Sequence, residues 1–268
     1  MDRKLYYFSG AGNDFVVIDG REGDVSEYRD VHRIQALCKE YGTDGLMILG
    51  IGDASVDFTM DFFNPDGSGG MMCGNGGRCI VAFADYLGIK PSCHPDLAEG
   101  TYLFRAPDGL HTGEILEHPE ETLWTVRIKM IDVHGITPMM GGYFLNTGTR
   151  HFVKFVEDVE QVDIDSEGKA LRRDPAFAPI GTNVNFVHVA PDGLHVRTFE
   201  KGVEGETLAC GTGLTASAIA AYAASVVPTA TVRLRARQDW LSVNFTPGAD
   251  EKFTDVYLTG PARLVEIL

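Results

Sequence analysis

No apolar run in this chain is long enough to span a bilayer. The two longest, around Ile219 to Val227 and Leu46 to Ile51, are short and rich in Ala or Gly. Basic residues are scarce as well. Twenty-three Lys and Arg stand against 38 Asp and Glu, for a net charge of −15. That excess argues against a nucleic-acid partner, whose phosphates call for clustered cations. The basic groups present, Arg172-Arg173 and then Arg233, Arg235 and Arg237, are thin and lie among acids. An apolar h-region and a cleavage site are both lacking after Met1-Asp2-Arg3-Lys4, which reads as a cytoplasmic protein with no membrane partner. The five cysteines are odd in number, and no two have CxxC spacing, which disfavours a disulfide framework, a zinc knuckle or a redox pair. No metal site is expected.

What is present is an ordinary globular composition, 44% hydrophobic and 23% charged, over 268 residues. That length suits one large domain or two small ones. Cys38 falls on the buried face of a helical pattern (Val31, Ile34, Leu37, Cys38, Tyr41), and Cys38, Cys79 and Cys93 read as small buried hydrophobes. Cys73 and Cys210 differ, because each sits in a glycine-rich turn that should open a helix.

The chain also repeats itself. Tyr7-Phe8-Ser9-Gly10-Ala11-Gly12 resembles Tyr143-Phe144-Leu145-Asn146-Thr147-Gly148, and Phe15 matches Phe152. Gly42-Thr43-Asp44 matches Gly181-Thr182-Asn183, and Cys73-Gly74-Asn75-Gly76 matches Cys210-Gly211-Thr212-Gly213. The offsets lie between 136 and 139 and keep one order, so the repeat is a whole domain rather than a solenoid unit. The expected domains are 1–118 and 119–258, with a terminal strand, about 259–268, returning to the first.

Alternating runs predict strands over Lys4–Phe8, Phe15–Asp19, Val56–Phe63, Thr101–Ala106, Leu123–Met130, His151–Val156, Asn183–Ala190 and Leu194–Phe199. Thr231–Leu234, Leu241–Phe245 and Asp255–Thr259 read the same way. Helices are expected over Val31–Tyr41, about Asn75–Leu87 and Gly211–Ser225. The fold class is therefore α+β: two homologous domains related by a pseudo-twofold axis, each a curled, mostly antiparallel sheet around a central helix.

A helix N-terminus offers unpaired N–H groups and the positive end of the macrodipole, so it binds a carboxylate and favours thiolate over thiol. A lone Cys-Gly-x-Gly is unspecific, but two related by a domain repeat suggest a two-base inversion. One thiolate removes an α-proton, the opposite thiol returns one to the other face, and the helix N–H groups hold the enediolate charge. Taken alone, Asp66 and Ser68 read as turn chemistry, Glu200-Lys201 equally well as a solvated turn, and His151 as a satisfied strand histidine. The place of His151 opposite Asp14 in the repeat makes it a candidate for tuning a thiol.

These residues resemble the diaminopimelate epimerase family. The match runs through Gly10-Ala11-Gly12-Asn13-Asp14-Phe15, Asn64-Pro65-Asp66-Gly67-Ser68 and Cys73-Gly74-Asn75-Gly76-Gly77-Arg78-Cys79. It continues through Asn183, Phe186, Glu200-Lys201-Gly202 and Gly205-Glu206-Thr207-Leu208-Ala209-Cys210-Gly211-Thr212-Gly213. The resemblance implies interconversion of LL- and meso-diaminopimelate without pyridoxal phosphate or any other cofactor, on the route to lysine and peptidoglycan. It implies Cys73 and Cys210 as the acid/base pair, with His151 and Glu200 adjusting their pKa values. The backbone of Gly74, Asn75, Gly211 and Thr212 would hold the reacting carboxylate. Asn13, Asn64, Thr149, Asn183, Glu200 and Lys201 would bind the rest of the substrate.

The chain departs from the family at Gly45 (Gln in many members), at Thr149-Arg150 (Asn-Pro) and at Lys201 (Arg). Lysine lacks the bidentate fork of arginine, and Arg150 is a candidate to replace it. The alternatives are a proline-racemase-like enzyme acting on another amino acid, or a non-catalytic amino-acid-binding protein. Phenazine-biosynthesis isomerases resemble the fold too but are expected to lack the cysteine pair. A homodimer through an exposed sheet edge is an expectation that no particular residue carries.

Overall fold

The computed structural model describes residues 3–92 and 94–268, which leaves the expectation for Cys93 outside the described residues. The chain forms two compact units, Met1–Ile128 with Gly260–Leu268, and Lys129–Thr259. Both are α+β and rich in sheet.

The first unit contains strands β1 (Leu5–Ser9), β2 (Asp14–Asp19), β3 (Gly45–Asp53), β4 (Val56–Phe63), β5 (Thr101–Ala106), β6 (Gly109–Glu120) and β7 (Leu123–Lys129). Its helices are α1 (Val31–Tyr41) and α2 (Gly74–Tyr86). Each strand pairs with the next; β2 with β3 and β4 with β5 are parallel, and the other pairs are antiparallel. The last strand of the chain closes the circuit. Its residues Gly260 to Arg263 pair with β7, and Arg263 to Ile267 pair with β1.

The inward rows of these strands form the core. On β4, Val56, Phe58, Met60 and Phe62 are buried at every second position, and on β7 Trp124, Val126 and Ile128 are fully buried. Helix α2 is buried from Gly74 through Ala84, so it carries no solvent-facing stripe. Helix α1 is a surface helix with one buried face, Ile34, Leu37 and Cys38. The Asp30 carboxylate caps it by accepting from the N–H groups of His32 and Arg33, and Gly42 ends it at φ 66°.

The second unit contains β8 (Val133–His134), β9 (Thr137–Met139), β10 (Gly142–Asn146), β11 (Arg150–Phe155), β12 (Asn183–Ala190), β13 (Gly193–Glu200), β14 (Gly205–Thr207), β15 (Thr231–Arg235) and β16 (Trp240–Pro247). Strand β17 (Lys252–Ile267) begins in this unit and ends in the first. The helices are a single turn, α3 (Lys169–Arg172), and α4 (Gly211–Ala223). The ladder runs β10, β11, β12, β13, β15, β16, β17, and the parallel pairs are β11 with β12 and β13 with β15. That order of parallel and antiparallel steps is the one seen from β1 to β7. The sequence repeat is therefore a repeat of topology. Helix α4 packs on β10, β11, β12, β13, β15 and β16 and is buried, apart from Thr212, from Gly211 through Ala221.

Two boundaries differ from the sequence expectation. The units divide after Ile128 rather than at 118/119, because β6 runs to Glu120 and β7 folds back on it before the chain leaves. The strands expected at Asp255–Thr259 and 259–268 are one continuous strand of 16 residues.

Candidate active site

In the first unit Cys73 is the N-cap of α2, with φ −98° and ψ 149°. Its Sγ accepts a hydrogen bond from the Gly76 N–H at 3.2 Å. The sulfur thus takes the place a Ser or Asp oxygen has in an ordinary cap, where the helix dipole favours a negative charge. The start of α2 lies close under Gly10. A β-carbon there would come within 2.8 Å of both the Asn75 carbonyl oxygen and Cys79 Sγ, so glycine is required for the approach.

A buried polar chain ties this helix start to the loop after β1. The fully buried guanidinium of Arg78 donates to the carbonyl oxygens of Gly74 and Gly10 at 3.2 Å, to that of Pro261 at 3.3 Å and to Asn75 Oδ1 at 3.0 Å. Asn75 Nδ2 in turn donates to Asn13 Oδ1. Since Arg78 offers only donors, it fixes the Asn75 amide with its oxygen inward and its nitrogen toward Asn13. Asn64 Nδ2 donates to Ser68 Oγ at 3.0 Å, while Asp66 Oδ1 accepts from the Ser68 N–H and Oγ in a turn. Asp14 accepts from the Tyr7 hydroxyl at 2.7 Å, and burial together with that carboxylate pushes the Tyr7 phenol up to about 12.

At Gly45 a β-carbon would meet the Phe63 carbonyl oxygen at 2.7 Å. The departure there therefore affects the close β3–β4 pairing as well as a side chain.

In the second unit Cys210 is the N-cap of α4, with φ −118° and ψ 106°, and is 8% exposed. Its Sγ lies 3.4 Å from Thr212 Oγ1. Thr212 Oγ1 is 3.0 Å from Nε2 of His151 and 3.1 Å from Thr149 Oγ1, which is itself 2.9 Å from the same Nε2. His151 on β11 is fully buried, and burial pushes its imidazole down to about 3. It is neutral at physiological pH, so it acts on its surroundings through hydrogen bonds and not as a cation.

The structure brings His151, Thr149, Thr212 and Cys210 into one cluster. Asn183 braces the neighbouring strands: Nδ2 donates to the Arg150 carbonyl oxygen at 2.9 Å, and Oδ1 accepts from the Lys201 N–H at 2.8 Å. Glu200, at the end of β13, accepts from Thr207 Oγ1 at 3.0 Å. The Arg150 guanidinium lies 5.0 Å from the centre of the Phe144 ring and donates to the Phe177 carbonyl oxygen at 3.4 Å. Those contacts turn it toward the aromatic cluster of its own unit.

Sequence reasoning missed Arg78, Asn185, Thr198 and the Thr212 hydroxyl. Asn185 carried a signal nonetheless. It lies two residues after Asn183 on a strand, which places both on one face. Cys38 and Cys79 are buried as expected, and burial pushes both thiols up, away from the thiolate form.

Two sheet-enclosed helices, each opened by a cysteine at the matching position of a repeated topology, define a two-unit α+β scaffold suited to acid–base chemistry at sulfur. The sequence profile of diaminopimelate epimerase matches residues 6–115 and 143–265. The diaminopimelate epimerase of Flavobacterium psychrophilum is 38% identical, covering 98% of both chains. That of Chlorobaculum tepidum is 39% identical, covering 96% of this chain and 97% of its own. This chain belongs to the diaminopimelate epimerase family, and it is an isomerase.

Solved structures share the fold at low identity. A PhzF-family phenazine biosynthesis protein from Bacillus anthracis aligns with a TM-score of 0.75 at 11% identity, covering 100% of this chain and 99% of that one. A hydroxyproline epimerase from Agrobacterium vitis aligns with a TM-score of 0.65 at 14% identity, covering 99% and 91%.

Proposed function

We propose that this enzyme interconverts LL- and meso-diaminopimelate by direct proton transfer between two thiols and the substrate α-carbon. The observation that carries the reading is the matched pair of helix-capping cysteines, one per unit, in a chain of this family. One sulfur, as thiolate, takes the α-proton, and the electrons of the C–H bond move into the carboxylate to give an enediolate. The other sulfur, as thiol, delivers its proton to the opposite face. The reaction exchanges which sulfur holds a proton, and no electron leaves the pair.

An α-proton is weakly acidic, so the developing oxyanion charge must be held. The N–H groups at the starts of α2 and α4 are suited to this, and they are the groups of Gly74, Asn75, Gly211 and Thr212. Asn13, Asn64, Thr149, Asn183, Glu200 and Lys201 are proposed to bind the substrate, with Asn13, Asn64 and Asn183 recognising its non-reacting end and Glu200 and Lys201 nearby. His151 and Glu200 are proposed to adjust the thiols. A cytoplasmic location and independence from added cofactor belong to the same reading. Among the described residues no helix is long and apolar enough to cross a membrane.

The test is incubation with LL-diaminopimelate in D2O with a thiol reductant and no added cofactor. Deuterium should enter at one α-carbon as the meso isomer forms. Cys73→Ala and Cys210→Ala should each lower turnover by about 10²–10⁴-fold, as loss of a positioned acid or base does. Full activity in either variant would overturn the two-base assignment. Turnover of proline or glutamate in place of diaminopimelate would overturn the substrate.

A further inference from the structure

The buried side of Cys210 holds a chain of hydrogen bonds whose direction is set at its far end. Asn185 on β12 is fully buried. Its Oδ1 accepts from the Thr198 hydroxyl at 2.9 Å, and its Nδ2 lies 3.3 Å from the Phe152 carbonyl oxygen. A carbonyl oxygen can only accept, so the atom facing it is the amide nitrogen, and the Phe152 carbonyl fixes the flip of Asn185; the Thr198 hydroxyl, which can turn either way, then donates to Oδ1. The same Nδ2 lies 3.0 Å from Nδ1 of His151.

Because Nδ2 is a donor, Nδ1 must be the acceptor, and the single proton of the neutral ring resides on Nε2. That proton points at the hydroxyl pair of Thr149 and Thr212. Once the Thr212 oxygen accepts, directly or through Thr149, its own hydrogen is left for Cys210 Sγ at 3.4 Å. In the opposite tautomer a bare Nε2 would take a hydroxyl hydrogen, and where Thr212 supplies it the Thr212 oxygen faces the sulfur as an acceptor, a partner for S–H. A donor aimed at sulfur favours thiolate, whereas an acceptor favours thiol.

The geometry points to Asn185 as a positioning residue that sets the tautomer of His151 and thereby turns the Thr212 hydroxyl into a donor to the Cys210 thiolate. This rests on the reading of Cys210 as one of the two acid/base groups. Asn185 touches no reacting atom; it acts through His151 and Thr212. The packing supports the role. Helix α4 approaches Asn185 so closely that a β-carbon on Gly213 would come within 2.4 Å of its Oδ1.

Two readouts test the proposal without substrate, so they stand whether or not diaminopimelate is the substrate. Nitrogen-15 NMR of the ring, assigned by its loss in His151→Gln, should show the wild-type proton on Nε2. The pH dependence of alkylation, followed at the Cys210 peptide by mass spectrometry, reports the thiol. Asn185→Asp presents acceptors to Nδ1. It should move the ring proton there and raise the alkylation midpoint by about one pH unit. Thr212→Val should raise the midpoint similarly with the tautomer unchanged, and Thr212→Ser should restore it. A wild-type ring protonated on Nδ1 overturns the proposal, as does a folded Asn185→Asp protein with an unshifted midpoint. If Asn185→Asp fails to fold, equal midpoints in Thr212→Val and Thr212→Ser overturn it.

Discussion

Gly213 and Asn185 meet with no room for a side chain between them: a β-carbon at 213 would lie 2.4 Å from Asn185 Oδ1 and 3.3 Å from Cys210 Sγ. The residue immediately after Thr212 thus presses the start of α4 onto the buried amide. Gly213→Ala must displace either the helix start or the amide, both held in a packed interior. We expect destabilisation of about 1–3 kcal/mol. Turnover should fall more than substrate KM rises, because the sulfur moves with the helix. Urea denaturation with steady-state kinetics checks this, and an Ala variant matching wild type on both counts would contradict the packing.

Arg78 makes a second prediction. Its guanidinium donates to Gly10, Gly74, Asn75 and Pro261, so a single side chain joins the first loop, the helix start and the last strand within one unit. Arg78→Met keeps the volume but strips donors from three buried oxygens and the half-buried Pro261 carbonyl. A loss of about 3–5 kcal/mol is expected in thermal or denaturant unfolding. Arg78→Lys should recover only part of it, since one ammonium cannot reach the whole set. An unaltered midpoint in the Met variant would show that these bonds contribute nothing.

His151 predicts an acid sensitivity of stability. Its folded pKa, pushed down to about 3, lies below the unfolded value of about 6.5. The unfolded chain therefore binds the proton first. The contribution of this residue is complete above pH 6.5 and is lost as pH falls toward 3, by about 1.4 kcal/mol per pH unit. Carboxylates add their own slopes, so the comparison is wild type against His151→Gln. Between pH 6 and 4 the variant's stability should fall less steeply, and parallel curves would contradict a neutral buried imidazole.

Gly45 stands where the family resemblance leads glutamine to be expected. With the Phe63 carbonyl oxygen 2.7 Å from any β-carbon, the strand pair must shift to admit one. Gly45→Gln should therefore lower stability by about 1–3 kcal/mol and leave any distal substrate contact unimproved. A stable variant with a lower KM for diaminopimelate would show that β3 and β4 adjust at little cost.

Much of this was legible in the chain itself. Helix α1 was readable to its end residues, because Asp30 and Gly42 punctuate a clean apolar face. Strands β4, β5 and β12 were equally clear from their alternation and turn residues. The repeat exposed the order of elements in both units, since matched glycines at a near-constant offset reflect matched backbone turns. Strand β6 was missed, because its later residues are exposed and carry no apolar alternation. The unit boundary was misplaced for the same reason, as it follows the β6–β7 hairpin and no change in composition marks it.

The sequence by itself determined that Cys73 and Cys210 each open a helix, because Cys-Gly before an apolar run dictates a cap, and local geometry needs only neighbours in the chain. What surrounds those sulfurs was decided by tertiary structure alone. Cys73 takes its hydrogen bond from Gly76 in its own first turn, but the polar chain behind Cys210 is assembled from three strands, the turn before one of them and a helix start. Thr149 and His151, Asn185, Thr198 and Thr212 are separated by tens of residues and meet only when β11, β12 and β13 pair and α4 is buried against them. A hydrogen bond requires position within a few tenths of an ångström, and sequence spacing does not carry that information across separate strands.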